Sequence, residues 1–299
     1  MTTRTIGWEL YRSFLGVLTE GSLSGAARAL GITQPTVGRH IAALEQELGI
    51  VLFTRSQTGL LLTEAAAALR PYAQAMESTV AALERAAGSQ GGDGVVQGVV
   101  RVSCSDVIGV EVLPLVIAQL REAHPDLKIE LVLTDRVQDL LRREADIAVR
   151  MVQPKQEQLV ARRIGRIDVG LHARHDYLDR HGTPRNLGDL ARHSTIGYDQ
   201  LTPYLRQAEK SLKGLRRDLF SLRSDSNLAQ LALIRAGAGI GMCQVPLARR
   251  DGNLVRMLPK MISLPLETWV TMHEDLRGSP RCRVTFDALV DGLLAYVGS

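Results

Sequence analysis

SLSGAARALGITQPTVGRHIAALEQELGIVLFTRSQTGLLLT, residues 22–63, decides the fold of the N-terminal part of this 299-residue chain. Two short runs of helix-forming residues are separated by Gly31, and two short apolar segments then flank a turn at residues 57–59. Helix, tight turn, helix and hairpin in this order are typical of a winged helix-turn-helix, which places its second helix in the DNA major groove. Apolar spacing predicts a further helix in front, from Trp8 to Thr19.

The second of these two helices is the candidate recognition helix. Thr33 is a suitable N-cap, and a proline at position 35 is tolerated because first-turn amides have no partner inside the helix. Apolar residues from Val37 to Leu48 recur at helical spacing, so the polar residues of the first turn should face outward and could contact base edges. The candidate DNA-contacting residues are Ser22, Ser24, Arg28, Thr33, Gln34, Pro35, Thr36, Arg39, His40 and, on the wing, Arg55.

Charge and composition fit a nucleic-acid partner. The formal net charge is +4, and no acidic residue occurs from Ser22 to Leu44, as expected of a surface that approaches phosphates. The chain has no apolar run of about 18 residues and no secretory-signal pattern, so we expect a cytoplasmic protein without membrane contact. Its three cysteines, Cys104, Cys243 and Cys282, are far apart and fit reduced thiols.

A long helix is predicted to follow the wing from Thr63. Its apolar residues recur at alternating spacings of four and three in a heptad seam formed by Leu62, Ala66, Leu69, Ala73, Met76, Val80, Leu83 and Ala87. This pattern favours a homodimer through paired helices, with packing on its own domain as the alternative. Pro71 should bend the helix near Leu69. The helix should end at Gly88, before a flexible hinge at residues 89–94.

The rest of the chain alternates strands and helices, the pattern of an α/β domain. We predict helices at residues 108–122, 137–143, 227–236 and 281–297. We predict strands at residues 99–104, 128–134, 145–151, 196–198, 220–223, 240–243, 254–258 and 268–273, with two more around Gly165 between 159 and 171.

A dense set of motifs resembles the N-terminal signature of LysR-type transcriptional regulators. It comprises Phe14, Gly21-Ser22-Leu23-Ser24-x-Ala26-Ala27-x-x-Leu30, Gln34-Pro35-x-Val37, Ile41-x-x-Leu44-Glu45, Leu48-Gly49, Leu52-Phe53-x-Arg55 and Leu62-Thr63. Two positions depart from the family pattern: Gly38 stands where serine is usual, and Ala65-Ala66 stands where Ala-Gly is common. The second half is similar to the family through weaker markers, among them Asp146-Ile147-Ala148-Val149-Arg150 and Gly237-x-Gly239-Ile240-Gly241.

The resemblance implies sequence-specific binding of double-stranded operator DNA and antiparallel pairing of two linker helices. It also implies a second half similar to periplasmic binding proteins, with a small effector in a cleft between two α/β lobes. The strand crossovers between these lobes should fall near Arg163 and Glu267. Tetramers are common in the family, and RNA polymerase is a further candidate partner.

The candidate effector site follows from strand ends. Ligands of open α/β sheets lie at the carboxyl ends of strands, near helix N-termini, where hydroxyls and amides hold polar groups. We expect a small polar effector, with a carboxylate as the favoured class. The candidate residues are Ser103, Cys104, Ser105, Thr134, Arg150, Met151, Asp199, Gln200 and Ser226.

Several other functions are weighed against this interpretation. The glycines at 237–241 lie between a helix and a strand, the reverse of a dinucleotide fingerprint, and no serine lies in a G-x-S-x-G elbow, so we expect no enzyme activity and no cofactor. His172, His175 and His181 lack the further ligands of a zinc site. A bare DNA-architectural protein does not need a large second domain. A thiol-redox regulator using Cys104 or Cys243 is the remaining alternative.

The predicted fold is thus all-α followed by α/β. A winged helix-turn-helix occupies residues 1–62, a linker and dimerisation helix with its hinge 63–90, and a two-lobed, periplasmic-binding-protein-like effector domain 91–299. Lobe I is expected at about 95–163 and 268–299, and lobe II at about 164–267.

Overall fold

The computed structural model describes residues 6–56, 59–87, 96–134, 144–154, 156, 158–200, 206 and 215–298. The chain divides into two compact units, and the first extends to Ala87. The predicted hinge at 89–94 and the predicted helix at 137–143 lie outside the described residues. No helix in the described ranges is both long and apolar enough to cross a bilayer.

The N-terminal unit contains the three helices and the hairpin expected from the sequence. They are α1 (Trp8–Glu20), α2 (Leu23–Leu30), α3 (Gln34–Leu48), β1 (Phe53–Ser56) and β2 (Gly59–Leu62). Phe14, Ala26, Val37 and Leu44 are fully enclosed in one core between the helices. Gly31 makes the turn between α2 and α3 with a φ of 67°, a left-handed conformation that costs side-chain-bearing residues energy.

The linker helix α4 (Glu64–Ala87) runs through Pro71 without interruption. Its heptad seam has two different environments. Ala66 and Ala73 are buried against the core of the helix-turn-helix, so this half of the seam packs on its own domain. Further along, Met76 is 38% and Leu83 69% exposed. The seam was predicted as one dimer interface. Its N-terminal half instead packs within its own domain, whereas Met76 and Leu83 in its C-terminal half are exposed to solvent.

The C-terminal unit is built on a seven-stranded mixed sheet with the strand order β10-β6-β11-β5-β3-β4, and β9 pairs with β6. β7 and β8 form a separate parallel pair. The strands are β3 (Gly98–Cys104), β4 (Leu127–Leu133), β5 (Ile147–Arg150), β6 (Leu159–Arg174), β7 (Ile196–Gly197), β8 (Leu222–Arg223), β9 (Gly241–Gln244), β10 (Leu254–Met257) and β11 (Leu264–His273). The α-helices are α5 (Asp106–Glu111), α6 (Leu113–Ala123), α7 (His175–His181), α8 (Asn227–Arg235), α9 (Val245–Asp251) and α10 (Pro280–Gly298).

Two elements differ from their sequence-based predictions. The helix predicted at 108–122 is two helices that meet at Val112, because Pro114 lacks an N–H and its ring clashes with the carbonyl of the preceding turn. The two strands predicted around Gly165 are one strand, β6, whose pairing with β11 shifts register at that glycine. The glycine therefore marks an irregularity within a continuous strand.

The sheet is continuous across the expected lobe boundary. β3 lies parallel to β4 and β5, whereas β11 is antiparallel to both β5 and β6. One hydrophobic cluster includes Val102 and Leu289 from the first expected lobe and Ile234 and Leu247 from the second. A smaller cluster around Tyr198 and Phe220 belongs to the second alone. The expected lobes thus share a core at their junction.

Candidate DNA-binding surface and effector site

The first turn of α3 presents an exposed polar surface. Thr33 caps the helix, and its Oγ1 lies 2.8 Å from Oγ1 of Thr36. Arg39 donates from Nη2 to the Thr36 hydroxyl at 3.4 Å, which links these side chains. Gln34 and Pro35 are exposed beside them. Five predicted DNA contacts therefore lie together at the exposed N-terminal end of the helix: Thr33, Gln34, Pro35, Thr36 and Arg39.

The α2 candidates divide by environment. Ser22 accepts a hydrogen bond from the Gly25 amide at 3.0 Å and so caps α2. Ser24 and Arg28 are exposed on the same helix. Arg55 belongs to β1, but its side chain lies outside the described residues. Ser22 thus has a structural partner already, whereas Ser24 and Arg28 are accessible.

His40 differs from the other candidates because its ring is turned inward. Its Nδ1 lies 2.7 Å from the hydroxyl oxygen of Ser13, which is buried in α1. Ser13 was not identified from the sequence, because the link spans 27 residues and depends on how α1 and α3 pack. The pair fixes the recognition helix against α1, which gives His40 a positioning role inside the domain.

Glu45 is a second residue that sequence reasoning missed. Its Oε1 accepts hydrogen bonds from the amides of Leu52 at 2.7 Å and Phe53 at 3.2 Å. The Thr63 hydroxyl donates to the carbonyl of Leu52 at 3.1 Å from the far side of the hairpin. The wing is therefore attached to the end of the recognition helix by side-chain hydrogen bonds. The presence of Glu45 in the family motif was the signal in the sequence that could have identified it.

In the C-terminal unit, the predicted residues of the first lobe meet at the carboxyl ends of three strands. Arg150, at the end of β5, donates from Nη2 to the Ser103 hydroxyl at 2.9 Å and from Nη1 to the Ser103 carbonyl at 3.1 Å. Cys104 is buried beside them at the end of β3, and its carbonyl accepts from the Thr134 amide at 2.8 Å. These four residues therefore lie together at the edge of the sheet where β3, β4 and β5 end.

Ser105 follows β3 and is half-buried at this edge. It occupies the N-cap position of α5, yet its hydroxyl accepts no capping hydrogen bond. The adjacent Asp106 accepts the Val107 amide at 2.7 Å through Oδ1. The same oxygen accepts from Nδ2 of Asn227, at the start of α8, at 3.3 Å. The loop after β3 therefore meets the second lobe directly.

The predicted residues of the second lobe gather around Asp225. Its Oδ1 accepts from the amides of Asp199 and Gln200, each at 2.9 Å. Ser226 caps α8 by accepting from the Ala229 amide at 3.2 Å. The Asp199 carboxylate, predicted as an effector contact, is instead bound by Nη2 of Arg217 at 2.6 Å. The sequence did not reveal Arg217 or the role of Asp225 as an acceptor, because both act on chain segments distant in sequence.

A partly buried ion-pair network joins α5 to α8 and α9. Arg235 donates to both carboxylate oxygens of Glu111, at 2.6 and 2.8 Å, and to Asp251 at 2.9 Å. The hydrogen bond to Glu111, and then that to Asp251, raise the pKa of Arg235 above its ordinary value against the opposing effect of burial. The guanidinium thus connects α5 of the first expected lobe with α9 of the second. Met151, which directly follows Arg150 at the end of β5, accepts a hydrogen bond from Thr268 at 3.2 Å.

The cysteines and histidines give no support to a redox or metal function. All three cysteines are buried. Burial raises the pKa of Cys243 to about 12, so almost none of the reactive thiolate exists at neutral pH. Burial likewise lowers the pKa of His172 to about 4. Within the described ranges, no group of three or more histidine, cysteine, aspartate or glutamate side chains is arranged to hold a metal ion.

Comparison with known families assigns both halves of the chain. The family described as "Bacterial regulatory helix-turn-helix protein, lysR family" matches residues 8–67. The family described as "LysR substrate binding domain" matches residues 93–294. A similar relative is the HTH-type transcriptional regulator CrgA of Neisseria meningitidis serogroup C, 28% identical over 287 residues that cover 94% of this chain and 95% of CrgA.

Solved structures agree with this assignment. The structure of CrgA from Neisseria meningitidis, a LysR-type transcriptional regulator, matches with a TM-score of 0.58 and 26% identity over 95% of this chain and 98% of that one. Full-length CbnR, solved with its target DNA, shares the fold with a TM-score of 0.64 at 18% identity, covering 98% and 99%. Members of the family bind DNA and small effectors and form oligomers. This chain belongs to the LysR family of bacterial helix-turn-helix proteins and is a transcriptional regulator, not an enzyme.

Proposed function

We propose that this regulator binds a two-fold symmetric operator and that a small effector, held at the edge formed by the ends of β3, β4 and β5, modulates this binding. The observation that carries the proposal is the first turn of α3, where Gln34, Pro35 and Arg39 are exposed and no acidic residue follows before Glu45. Gln can pair with adenine and Arg with guanine in the major groove, while Thr36 and Pro35 offer methyl and methylene groups to thymine.

Symmetric binding requires two copies of the chain. The exposed Met76 and Leu83, with the partly buried Val80 between them, form the surface on which a second α4 packs, so that two recognition helices reach two half-sites. The regulator is a homodimer through this helix and assembles further into a tetramer. It works in the cytoplasm, where the chromosome lies, and contacts RNA polymerase at the promoters it regulates.

The effector contacts Ser105 and the neighbouring end of β5. Ser105 offers a hydroxyl that does not cap its own helix, and the Arg150 guanidinium, bound to Ser103 two residues earlier, provides positive charge at the same strand ends. A small carboxylate matches this combination of hydroxyl and guanidinium donors. Because the loop after β3 also contacts Asn227, a molecule bound there changes how the two lobes are held.

A thermal-shift screen of the full chain against small carboxylates tests the effector site. A ligand at a hundredfold excess over its Kd should stabilise the protein by about 2.7 kcal/mol. The Ser105→Ala variant should lose most of this shift, whereas Ser263→Ala, at an exposed serine elsewhere in the unit, should keep it. Equal shifts in both variants would place the effector elsewhere.

The same ligand must also change DNA binding. We expect it to alter operator affinity in the unmodified chain and in Ser263→Ala, and to leave operator affinity unchanged in Ser105→Ala. A ligand that stabilises the protein with no effect on operator binding in any variant would contradict the proposed modulation.

A further inference from the structure

A groove at the strand crossover lies outside the predicted effector site, apart from Met151, which lines both. It is open to solvent and has a volume of about 640 Å³, within the range of small-molecule sites. One wall follows the end of β5, from Met151 to Gln153, and the other is formed by residues of β6 and β11. The lining residues are Met151, Val152, Gln153, Arg163, Pro265, Leu266, Glu267 and Trp269.

The charged side of the groove is the ion pair of Arg163 with Glu267, to which Arg166, outside the lining residues, adds a second guanidinium. Arg163 donates to Oε2 of Glu267 from Nε at 2.9 Å and from Nη2 at 2.8 Å. Arg166 donates from Nε to the other oxygen, Oε1, at 2.6 Å. The hydrogen bonds from Arg166 and then from Arg163 lower the pKa of Glu267 below its ordinary value, so this carboxylate stays ionised at neutral pH. The trio has a net charge of +1.

The remaining wall is apolar. Val152 is 44% exposed, and Met151, Pro265 and Leu266 line the groove around it. Trp269 adds a partly buried indole ring, whose enclosed Nε1 donates to no acceptor among the described residues. An apolar wall beside Arg163, whose ion-pair cluster carries a net positive charge, is chemically suited to a molecule with a hydrocarbon body and an anionic end.

We infer that this groove is a second ligand site, which binds small carboxylic acids with a compact apolar body. The ligand carboxylate pairs with Arg163 in competition with Glu267, and its hydrocarbon body packs on Val152, Leu266 and Trp269. Because the groove lies where β11 is flanked by β5 on one side and β6 on the other, an occupant contacts the chain at the junction of the expected lobes. Apart from Met151, this site and the effector site at Ser105 have different residues, so an experiment can disprove one proposal without disproving the other.

The two tryptophans of the chain make a direct binding assay available. Trp8→Phe leaves Trp269 as the sole tryptophan, in contact with the groove. We would titrate the full-length Trp8→Phe chain with cyclohexanecarboxylate, which has the required charge and shape and does not absorb at the excitation wavelength. Saturable change in Trp269 emission is the expected result. Cyclohexanecarboxamide, of the same shape but uncharged, should bind about tenfold more weakly.

Variants of the ion-pair trio give opposite predictions. In the Trp8→Phe background, Arg163→Gln should weaken cyclohexanecarboxylate binding by about fivefold or more, because it removes the pairing cation. Glu267→Gln should strengthen it by about threefold or more, because it removes the competing carboxylate. Arg216→Gln, at an exposed arginine paired with Asp218 and outside the groove, is the matched control and should change nothing.

Three results would overturn the inference: no saturable change in emission, equal binding of the amide, or weakened binding in Glu267→Gln. Isothermal titration of the unmodified chain with the same two probes decides the question if Trp8→Phe does not fold. Loss of cyclohexanecarboxylate binding in Ser105→Ala, with normal binding in Arg163→Gln, would instead assign the carboxylate to the effector site at the ends of β3 and β5.

Discussion

Arg163 and Glu267 are joined across the two strands that link the lobes, and their ion pair marks the positions where the crossovers were expected. Arg163 donates twice to one oxygen of Glu267, and Arg166 donates to the other. Residues three apart in a regular strand point to opposite faces of a sheet. Both arginines nevertheless reach one carboxylate, so the strand between them must depart from regular pairing.

The departure lies at Gly165. Thr268 pairs with Gly165, but the next residue of β11, Trp269, pairs with Arg163, so Ile164 is an extra residue in β6. Such a β-bulge restores the parity that brings both arginines to the same face. Gly165 has a φ of 142°, which residues with a side chain rarely adopt.

Gly165→Ala should therefore destabilise the C-terminal unit by about 1–3 kcal/mol, from backbone strain alone, since an added Cβ makes only ordinary contact with Val297 at 3.4 Å. Urea unfolding is the measurement. Gly278→Ala is the control, because its Cβ would meet open space at an ordinary φ, and it should be close to neutral. Equal effects in both variants would rule out strain at the bulge.

Gly38 offers the opposite case in the recognition helix. A Cβ there would meet nothing within 4 Å, so Gly38→Ala should stabilise the N-terminal unit by about 0.5–1 kcal/mol through helix propensity. Gly31→Ala has equally open space but a φ of 67°, and should destabilise by about 1 kcal/mol. Gly38→Ser should bind operator DNA at least as well as the unmodified chain. A tenfold loss of affinity, on the order of 1.4 kcal/mol, would contradict this.

Leu83→Glu tests dimerisation through α4. A charge at this 69%-exposed seam position would be buried between two helices, so the dimer Kd should rise by about tenfold or more. Gln74→Glu adds the same charge at an exposed position of the same helix outside the seam, and should leave the dimer intact. Sedimentation equilibrium measures both. A dimer unaffected by Leu83→Glu would place the interface elsewhere.

His172 should make stability depend on pH. Its pKa in the folded state is about 4, below the ordinary value of about 6.5, because burial opposes the charged ring. As the pH falls, the unfolded chain therefore binds a proton before the folded chain does. The contribution of His172 to the free energy of unfolding is fully present above pH 6.5, and about 3 kcal/mol is lost as the pH drops towards 4. His172→Asn keeps a donor for the Gly170 carbonyl but does not titrate. Its unfolding free energy should fall less steeply in this window; parallel curves would exclude His172 as the source.

Local signals in the sequence predicted the helix-turn-helix well. The cap at Thr33, the turn at Gly31 and the buried face from Val37 depend on residues within four positions of one another, and the structure has them as expected. Pro114 was visible too, but its effect was underestimated: it separates two helices instead of lying within one.

Local signals in the sequence could not predict which residues are hydrogen-bond partners of the polar side chains. His40 bonds to Ser13, 27 residues away, and Asp199 bonds to Arg217, 18 residues away. Which acceptor a polar side chain chooses depends on how whole elements pack, and periodicity carries no information about it. The strand-end rule did bring Ser103, Cys104 and Arg150 together, because that rule follows from the topology of the sheet.

The most direct test of the account is selection of duplex DNA from a random library by the full-length chain, followed by sequencing of the bound fraction. We expect enrichment of a two-fold symmetric site whose half-sites lie about one helical turn apart or a multiple of it. Gln34→Ala should relax the preference at one base pair of each half-site, and Arg283→Gln, on helix α10 of the C-terminal unit, should not. Bound DNA with no common sequence, or with a single unpaired half-site, would contradict a dimeric, sequence-specific regulator.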